Sequence, residues 1–327
     1  MAKPVLKWAG GKSKIIPDIV KEMKTRPLGR RWTVKKSQDD KRYIEPFVGG
    51  AGAFLGLKRH GMIQAGKDVE ILLADINGVL VKTLQVMKSD KQVNELIAIL
   101  ERMEGQFKKE GEDFYYERRN YMNSEIIRKL PKANPIETAA HMIFLNKTCF
   151  NGLWRVNSKG ELNTPMGRTP SGKIRILDKG LLKEFSKSIR GAKIANQDWK
   201  KTMKDAGEGD LVYVDPPYWP TDGEYVFRDY DAVGGFDDEE QEKLAQLCAE
   251  AAARGARVII SNNYSEGIAL AYSRAARKAG ARISRARKGG NKQRRITLKR
   301  TMTKVKGEPR KEVEEILVFM APKERKS

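Results

Sequence analysis

Apolar residues along the chain recur at two periods. Ile15, Ile16, Ile19, Val20 and Met23 keep helical spacing, and Ser13 with Pro17 marks a helix start. Short apolar runs read as strands: Tyr43–Ile44, VEILLADIN (69–77), AKIANQDW (192–199), DLVYVDPPY (210–218), ARVIISNNY (256–264) and EVEEILVFMAP (312–322). The first of these runs into EPFVGGAGAF and a helix, and 69–77 follows. A strand, a glycine-rich turn, a helix and a strand in that order predict a βαβ unit of a parallel sheet. From about Gly78 to Asp178 the pattern changes to helices (VLVKTLQVM, VNELIAILERM, IETAAHMIFLN), then to a loop-rich tract from Asn146 to Lys173. DDEEQEKLAQLCAEAAARG (237–255) is a further amphipathic helix. The polar, basic stretch from Thr25 to Arg42 reads as an exposed insertion. The pattern predicts an α/β sheet interrupted by a mostly helical insertion.

Composition narrows the function. The chain has 327 residues, with 64 Lys and Arg against 42 Asp and Glu, a formal charge of +22. This length fits one large domain or two smaller ones, and the charge points to a polyanionic partner. Two cysteines, Cys149 and Cys248, make no disulfide framework, and two histidines, His60 and His141, argue against His-rich zinc sites and His-based triads. No apolar run reaches the ~18 residues of a membrane span, and the N-terminus has no apolar signal region, so a soluble, intracellular protein is expected.

Three motifs carry candidate chemistry. Gly10-Gly11-Lys12-Ser13 imitates the end of a phosphate-binding loop, but Leu6 stands where that motif needs a glycine. EPFVGGAG (45–52) sits between strand and helix, where bare backbone admits a ligand to a helix N-terminus, and Asp75 lies 26 residues beyond Gly49, a distance suited to ribose hydroxyls. In DLVYVDPPYWP an apolar strand delivers Asp215 to its carboxyl edge, two prolines fix a turn, and Tyr218 offers an aromatic face. A carboxylate, a fixed carbonyl and a stacking ring suit the exocyclic amine of a planar base. The basic tract between Ser284 and Lys311 suits sequence-independent phosphate contacts.

With KWAGGK (7–12), EPFVGGAG (45–52), LADIN (73–77), NKTCFNGLWRVNSKGELNTPMGR (146–168), DPPY (215–218) and IISNN (259–263) in this order, the chain resembles Dam-type (D12 class) DNA N6-adenine methyltransferases. The resemblance implies a Rossmann-like methyltransferase sheet, residues 1–78 and 179–327, with a target-recognition domain inserted at 79–178. It implies S-adenosylmethionine as cofactor, double-stranded DNA as partner, no metal, a monomer, and a cytoplasmic setting in a bacterial or phage-infected cell. Carried over by position, Trp8, Lys12, Gly49 and Gly50 would line the methionine end of the cofactor, Asp75 its ribose, and Asp198 with Trp199 its adenine. Asp215, which also borders the cofactor, would hold the target amine, with Pro216, Pro217 and Tyr218 completing the base site. Lys7, Asn151, Gly152, Arg155 and Pro165 would meet DNA.

A loop arginine such as Arg155 is the commonest bidentate reader of guanine. Trp154 and Phe150 are candidate wedges at a base step, with core packing the favoured place for Phe150. Neither cysteine sits by the DPPY turn, so neither is expected as a nucleophile. Two features depart from the resemblance: Thr169 stands where many GATC-specific relatives carry an aromatic, and the glycine turn reads GGAG rather than GGGA. GATC is nonetheless the first expected target. Two alternatives remain at this stage: transfer to the amine of RNA or of a protein glutamine, and a DNA-binding protein without catalysis.

Overall fold

Strand residues alternate between two cores, and this alternation explains the sheet. The computed structural model describes residues 2–8, 11–12, 15–25, 28, 31–34, 40–64, 69–168, 174–218, 236–284 and 315–323, and the backbone of 285, 287–288, 292–293, 296–299 and 312–314. Five strands run parallel: β1 (Arg42–Glu45), β2 (Glu70–Asp75), β3 (Lys193–Asn196), β4 (Asp210–Val214) and β5 (Arg257–Asn263). β6 (Arg282–Arg285), β7 (Arg287–Lys288), β8 (Lys292–Gln293), β9 (Ile296–Lys299) and β10 (Glu312–Ala321) follow. The sheet order is β3-β2-β1-β4-β5-β10-β6, with β9 also on β10; β10 is antiparallel to each of its neighbours, and β7 pairs with β8.

Tyr43, Ile71, Leu73, Leu211, Tyr213, Ile259, Leu317 and Phe319 enter one core. Ile44, Leu72, Val212, Val214, Val258, Ile260, Ile316, Val318 and Met320 enter the other. The second core is covered by α8 (Trp199–Asp205), α9 (Asp238–Ala253) and α10 (Glu266–Ala279). The first is covered by α1 (Ile16–Lys24), α2 (Gly52–Arg59) and α3 (Gly78–Met87), and it continues without a break into the helical insertion. There, α6 (Pro135–Thr148) is buried almost all round, ringed by α3, α4 (Asp90–Glu110) and α5 (Glu112–Tyr121), with α7 (Lys179–Ile189) against α4. α6 starts where the Asn134 side chain accepts from Ile136 and Glu137 N–H ahead of Pro135. α3, the first helix beyond Asn77, lies on β2 and β3 as well as on α6. No helix among the described residues is long and apolar enough to cross a membrane.

The strand order reverses between β1 and β4. Connections lead away on opposite sides of that point, which leaves a crevice at the carboxyl ends of the strands. The EPFVGGAG turn leaves the carboxyl end of β1, Asp75 ends β2, and Asp215 follows β4.

The expectation of an exposed insertion over Thr25–Arg42 is corrected. Trp32 is 1% exposed, its ring edge-on to Phe319 at 4.9 Å, and Val34 is fully buried and bridges to Ile63. Asp40 is buried between Arg257, at 2.7 Å, and Arg31, at 2.5 Å. Three inward residues hidden among many cations carry no visible periodicity, so composition masked them. Trp32→Ala is expected to cost about 3–5 kcal/mol, read as a lowered urea midpoint. A loss within about 0.5 kcal/mol, as for a surface residue, would return the segment to the surface.

Candidate active site

Beyond β4, whose five residues are all buried, the two prolines end the strand and hold Asp215 and Tyr218 at its edge. Lys12 reaches this edge from the N-terminal segment. It is 3% exposed; its Nζ lies 2.6 Å from Asp215 Oδ1, donates to Tyr218 Oη at 2.7 Å, and sits 4.7 Å from the tyrosine ring centre. Burial alone would lower the pKa of this ammonium; the charges of Asp215 and Glu315 outweigh that and raise it. Tyr218 in turn donates to Glu315 Oε1 at 2.6 Å, and Ser261 Oγ lies 3.2 Å from Glu315 Oε2. Gln241 Nε2 donates to the Pro217 carbonyl at 2.8 Å, and Asn262 Nδ2 donates to Gln241 at 3.2 Å, bracing the turn from below.

The glycine turn lies alongside. Gly49 N–H donates to Asp75 Oδ2 and Asn77 N–H to Asp75 Oδ1, both at 3.0 Å, so Asp75 stitches the ends of β1 and β2. Gly49 has φ +48°, and a Cβ there would stand 2.7 Å from Trp8 Cδ1; one on Gly50 would stand 3.2 Å from Trp8 Cβ. Ala51 also holds a left-handed backbone, φ 60°. Alanine fits the space, but it carries roughly 1–2 kcal/mol of backbone cost that glycine would avoid. Asp198 is exposed and caps α8 through Lys200 N–H, at 2.6 Å. Trp199 is 7% exposed and stacks on Phe47 at 5.9 Å, with Phe236 tilted against it. Beneath the turn Glu45 is buried and accepts from Tyr43 Oη. Burial pushes the Glu45 carboxyl up to about 8, the Tyr43 hydrogen bond pulling against this and Asp215 adding to it.

A third cluster surrounds Lys7. Asn146, fully buried on α6, accepts from Lys7 N–H and donates to the Lys7 carbonyl, both at 2.8 Å, and donates to Gly152 O at 3.1 Å. Gly152 has φ +70°, and a Cβ there would stand 2.6 Å from Lys7 Cβ. Asn151 is exposed with φ 53°. Arg155 is exposed, and its Nε donates to Asn163 Oδ1 at 2.8 Å. The exposed Pro165 accepts from Phe150 N–H through its carbonyl at 2.9 Å. The favoured placement of Phe150 in the core is corrected: Phe150 is 41% exposed, while Trp154 is 2% exposed and fills the core. The reason is local. Residues 150–152 form a tight turn with Asn151 left-handed, which carries Phe150 outward.

The structure therefore brings Lys12, Asp215 and Tyr218 into one cluster, Trp8, Gly49, Gly50 and Asp75 into a second, and Lys7 and Gly152 into a third, with Asn151, Arg155 and Pro165 on the loop of Gly152. Gly10, Ser13, Thr169 and most of the 284–311 tract lie outside the described residues. Sequence reasoning missed Glu45, Asn146, Gln241, Ser261, Asn262 and Glu315. Asn146, Ser261 and Asn262 lie inside stretches that carry the resemblance, and Glu45 begins another, but a polar residue in such a stretch shows its partners only in three dimensions.

Glu45 generates a pH prediction. Its carboxyl holds a proton up to about pH 8 when folded but only to its ordinary 4.5 when unfolded. The folded state then binds more protons across that window, so the contribution is fully present below 4.5 and is lost as pH rises toward 8, by roughly one kcal/mol per pH unit. Glu45→Gln, a neutral isostere, should flatten this slope and gain stability over the wild type between pH 5.5 and 8. Urea melts at three pH values measure it, and parallel wild-type and variant curves would refute it.

Residues 8–285 match the family described as D12 class N6 adenine-specific DNA methyltransferase. The Type II methyltransferase M.MjaIII of Methanocaldococcus jannaschii is 34% identical over 80% of this chain and 85% of its own length. The Type II methyltransferase M1.LlaDCHI of Lactococcus lactis subsp. cremoris is 30% identical over 80% and 82%. The DNA adenine methylase of Escherichia coli K12 is 28% identical over 79% and 80%. With a sheet of this order, a crevice at its reversal point and a family match across most of its length, the chain belongs to the D12 class N6 adenine-specific DNA methyltransferases.

Proposed function

We propose that the chain methylates adenine N6 in duplex DNA with S-adenosylmethionine, at GATC, by taking the target base into the Asp215–Tyr218 pocket. The observation that carries this reading is the Lys12–Asp215–Tyr218 cluster at the carboxyl edge of β4, beside the glycine turn. The residues present suit the cofactor. Gly49 and Gly50 offer backbone without side chains against Trp8, and Asp75 places a half-exposed carboxylate at the end of β2 beside that turn. Trp8, Lys12, Gly49 and Gly50 would hold its methionine end, Asp75 its ribose, and Asp198 with Trp199 its adenine. When bound, it supplies an electrophilic methyl group.

The remaining chemistry falls to the chain. Tyr218 stacks the extruded base and recovers part of its unstacking cost. The Asp215 carboxylate and the Pro216 carbonyl accept the two amine hydrogens, aim the nitrogen lone pair and offset the positive charge that develops on N6. Lys12 fixes the Asp215 carboxylate, and the Gln241 bond to the Pro217 carbonyl fixes the turn that carries it. The extra proton leaves N6 to water. On the duplex, Arg155 reads guanine, with Lys7, Asn151, Gly152 and Pro165 at the same surface, and the exposed Phe150 wedges where the base leaves. A formal charge of +22 supplies the phosphate attraction. One copy of the chain carries these residues, in keeping with action as a monomer.

Purified protein incubated with the cofactor and unmethylated duplexes should yield N6-methyladenine by mass spectrometry of digested nucleosides. Asp215→Ala should lower the single-turnover rate by roughly 100-fold or more. Product on RNA or protein alone, with demonstrated cofactor binding, would overturn the DNA reading, and equal product on duplexes lacking GATC would overturn the site. Phe150→Ala should weaken emission from 2-aminopurine at the target position while nonspecific DNA affinity stays within about twofold. Unchanged emission would remove Phe150 from the extrusion step.

A further inference from the structure

Glu315 is a buried carboxylate that the reading above leaves without a role. It lies on β10, the antiparallel strand inserted between β5 and β6, opposite Asn263 of β5 and Ile296 of β9, and it is 2% exposed. Burying a carboxylate is costly unless hydrogen bonds and an opposite charge compensate it. Its oxygens meet two hydroxyls, Tyr218 at 2.6 Å and Ser261 at 3.2 Å, and its charge acts on the Lys12 ammonium.

Donor and acceptor chemistry orders this group uniquely. A lysine ammonium can only donate, so in its bond with Lys12 the Tyr218 oxygen is the acceptor. The tyrosine proton is then directed to Glu315, because an ionised carboxylate can only accept, and Ser261 donates to the carboxylate from the other side. The chain Lys12 to Tyr218 to Glu315 leaves one orientation for the phenol and pins the far end of the ring, whose near end is already held by the two-proline turn. A ring that must receive a flipped base face to face gains from being fixed at both ends before the base arrives.

We propose that Glu315 is a positioning residue: it holds the Tyr218 ring in the orientation that receives the target base, acting through the tyrosine hydroxyl. This rests on the reading of Asp215–Tyr218 as the target-base pocket. It assigns to the last strand of the sheet a part in catalysis, and it accounts for a charge kept in a position that packing alone would fill with an apolar residue.

The test is a mutant cycle with single-turnover methylation of a duplex substrate as the readout. Glu315→Leu removes the acceptor and fills the space. It should slow the methylation step tenfold or more, leave cofactor affinity within twofold, and brighten 2-aminopurine at the target position because the base no longer stacks firmly on the ring. In a Tyr218→Phe background the same change should cost less than twofold, since the hydroxyl through which it acts is gone. Glu315→Gln keeps a carbonyl acceptor for the tyrosine and should lose less than threefold; it also carries the test if the leucine variant does not fold. A wild-type rate for Glu315→Leu, an equal loss in both backgrounds, or a loss above threefold for Glu315→Gln would overturn the proposal. Asp215→Ala, run in parallel, separates the two levels: a wild-type rate there defeats the reading of the pocket itself, whereas an inactive Asp215→Ala beside an unaffected Glu315→Leu defeats only the role of Glu315.

Discussion

A lysine ammonium 3% exposed at the edge of a sheet is the constraint around which this site is built. Such a charge is tolerated only with opposite charge and hydrogen-bond acceptors at close range. Asp215 and Tyr218 come from the end of β4, and Glu315 from the last strand, so Lys12 draws three distant parts of the sequence to one point. Its demand for compensation also explains why the site mixes acids with a cation. The ammonium pairs directly with Asp215, and the charge of Glu315 acts on it as well.

The sheet makes that meeting possible. Parallel strands deliver their carboxyl ends to one edge, and the reversal between β1 and β4 opens a crevice there. β10 runs the opposite way, so it presents Glu315, near its amino end, to this same edge. An antiparallel strand inserted among parallel ones thus contributes a residue that a sheet parallel throughout would place at the far side.

Much of this was legible in the sequence, and the misses have physical reasons. Short continuous apolar runs gave the strands because both faces of the sheet are covered. The DPPY turn stood out because two prolines, an acid and an aromatic together are hard to explain by packing. Trp32, Val34 and Asp40 were not legible, because their burial depends on Phe319, Ile63 and Arg257, far along the chain, while their own neighbours are polar. Phe150 departs from its favoured place in the core, and Trp154, the other candidate wedge, is buried; the turn with a left-handed Asn151 between them is not visible in hydrophobicity. Glu315 was hidden in plain view, since a glutamate at a strand start looks like an exposed end until its partners at positions 218 and 261 are known.

Residues 7 and 12 lie only five positions apart, yet they sit in different clusters. Asn146 fixes the backbone of Lys7 at both its N–H and its carbonyl and holds the Gly152 carbonyl as well. One residue on, Trp8 lies over Gly49 and Gly50, so close that neither position has room for a side chain without a shift. Lys12 then ends against the Asp215 carboxylate and the Tyr218 phenol. The same short segment therefore touches the loop proposed to read DNA, the turn proposed to hold the cofactor, and the pocket proposed to receive the base. Because interiors are packed too densely to absorb displacement locally, a shift of the Gly152 loop against Lys7 must be passed to Trp8 and toward Lys12 or resisted by Asn146. A fully buried amide with three backbone hydrogen bonds favours resistance. On the proposed roles, the segment keeps reader, cofactor turn and base pocket in fixed register, and leaves adjustment to DNA to exposed side chains such as Phe150 and Arg155.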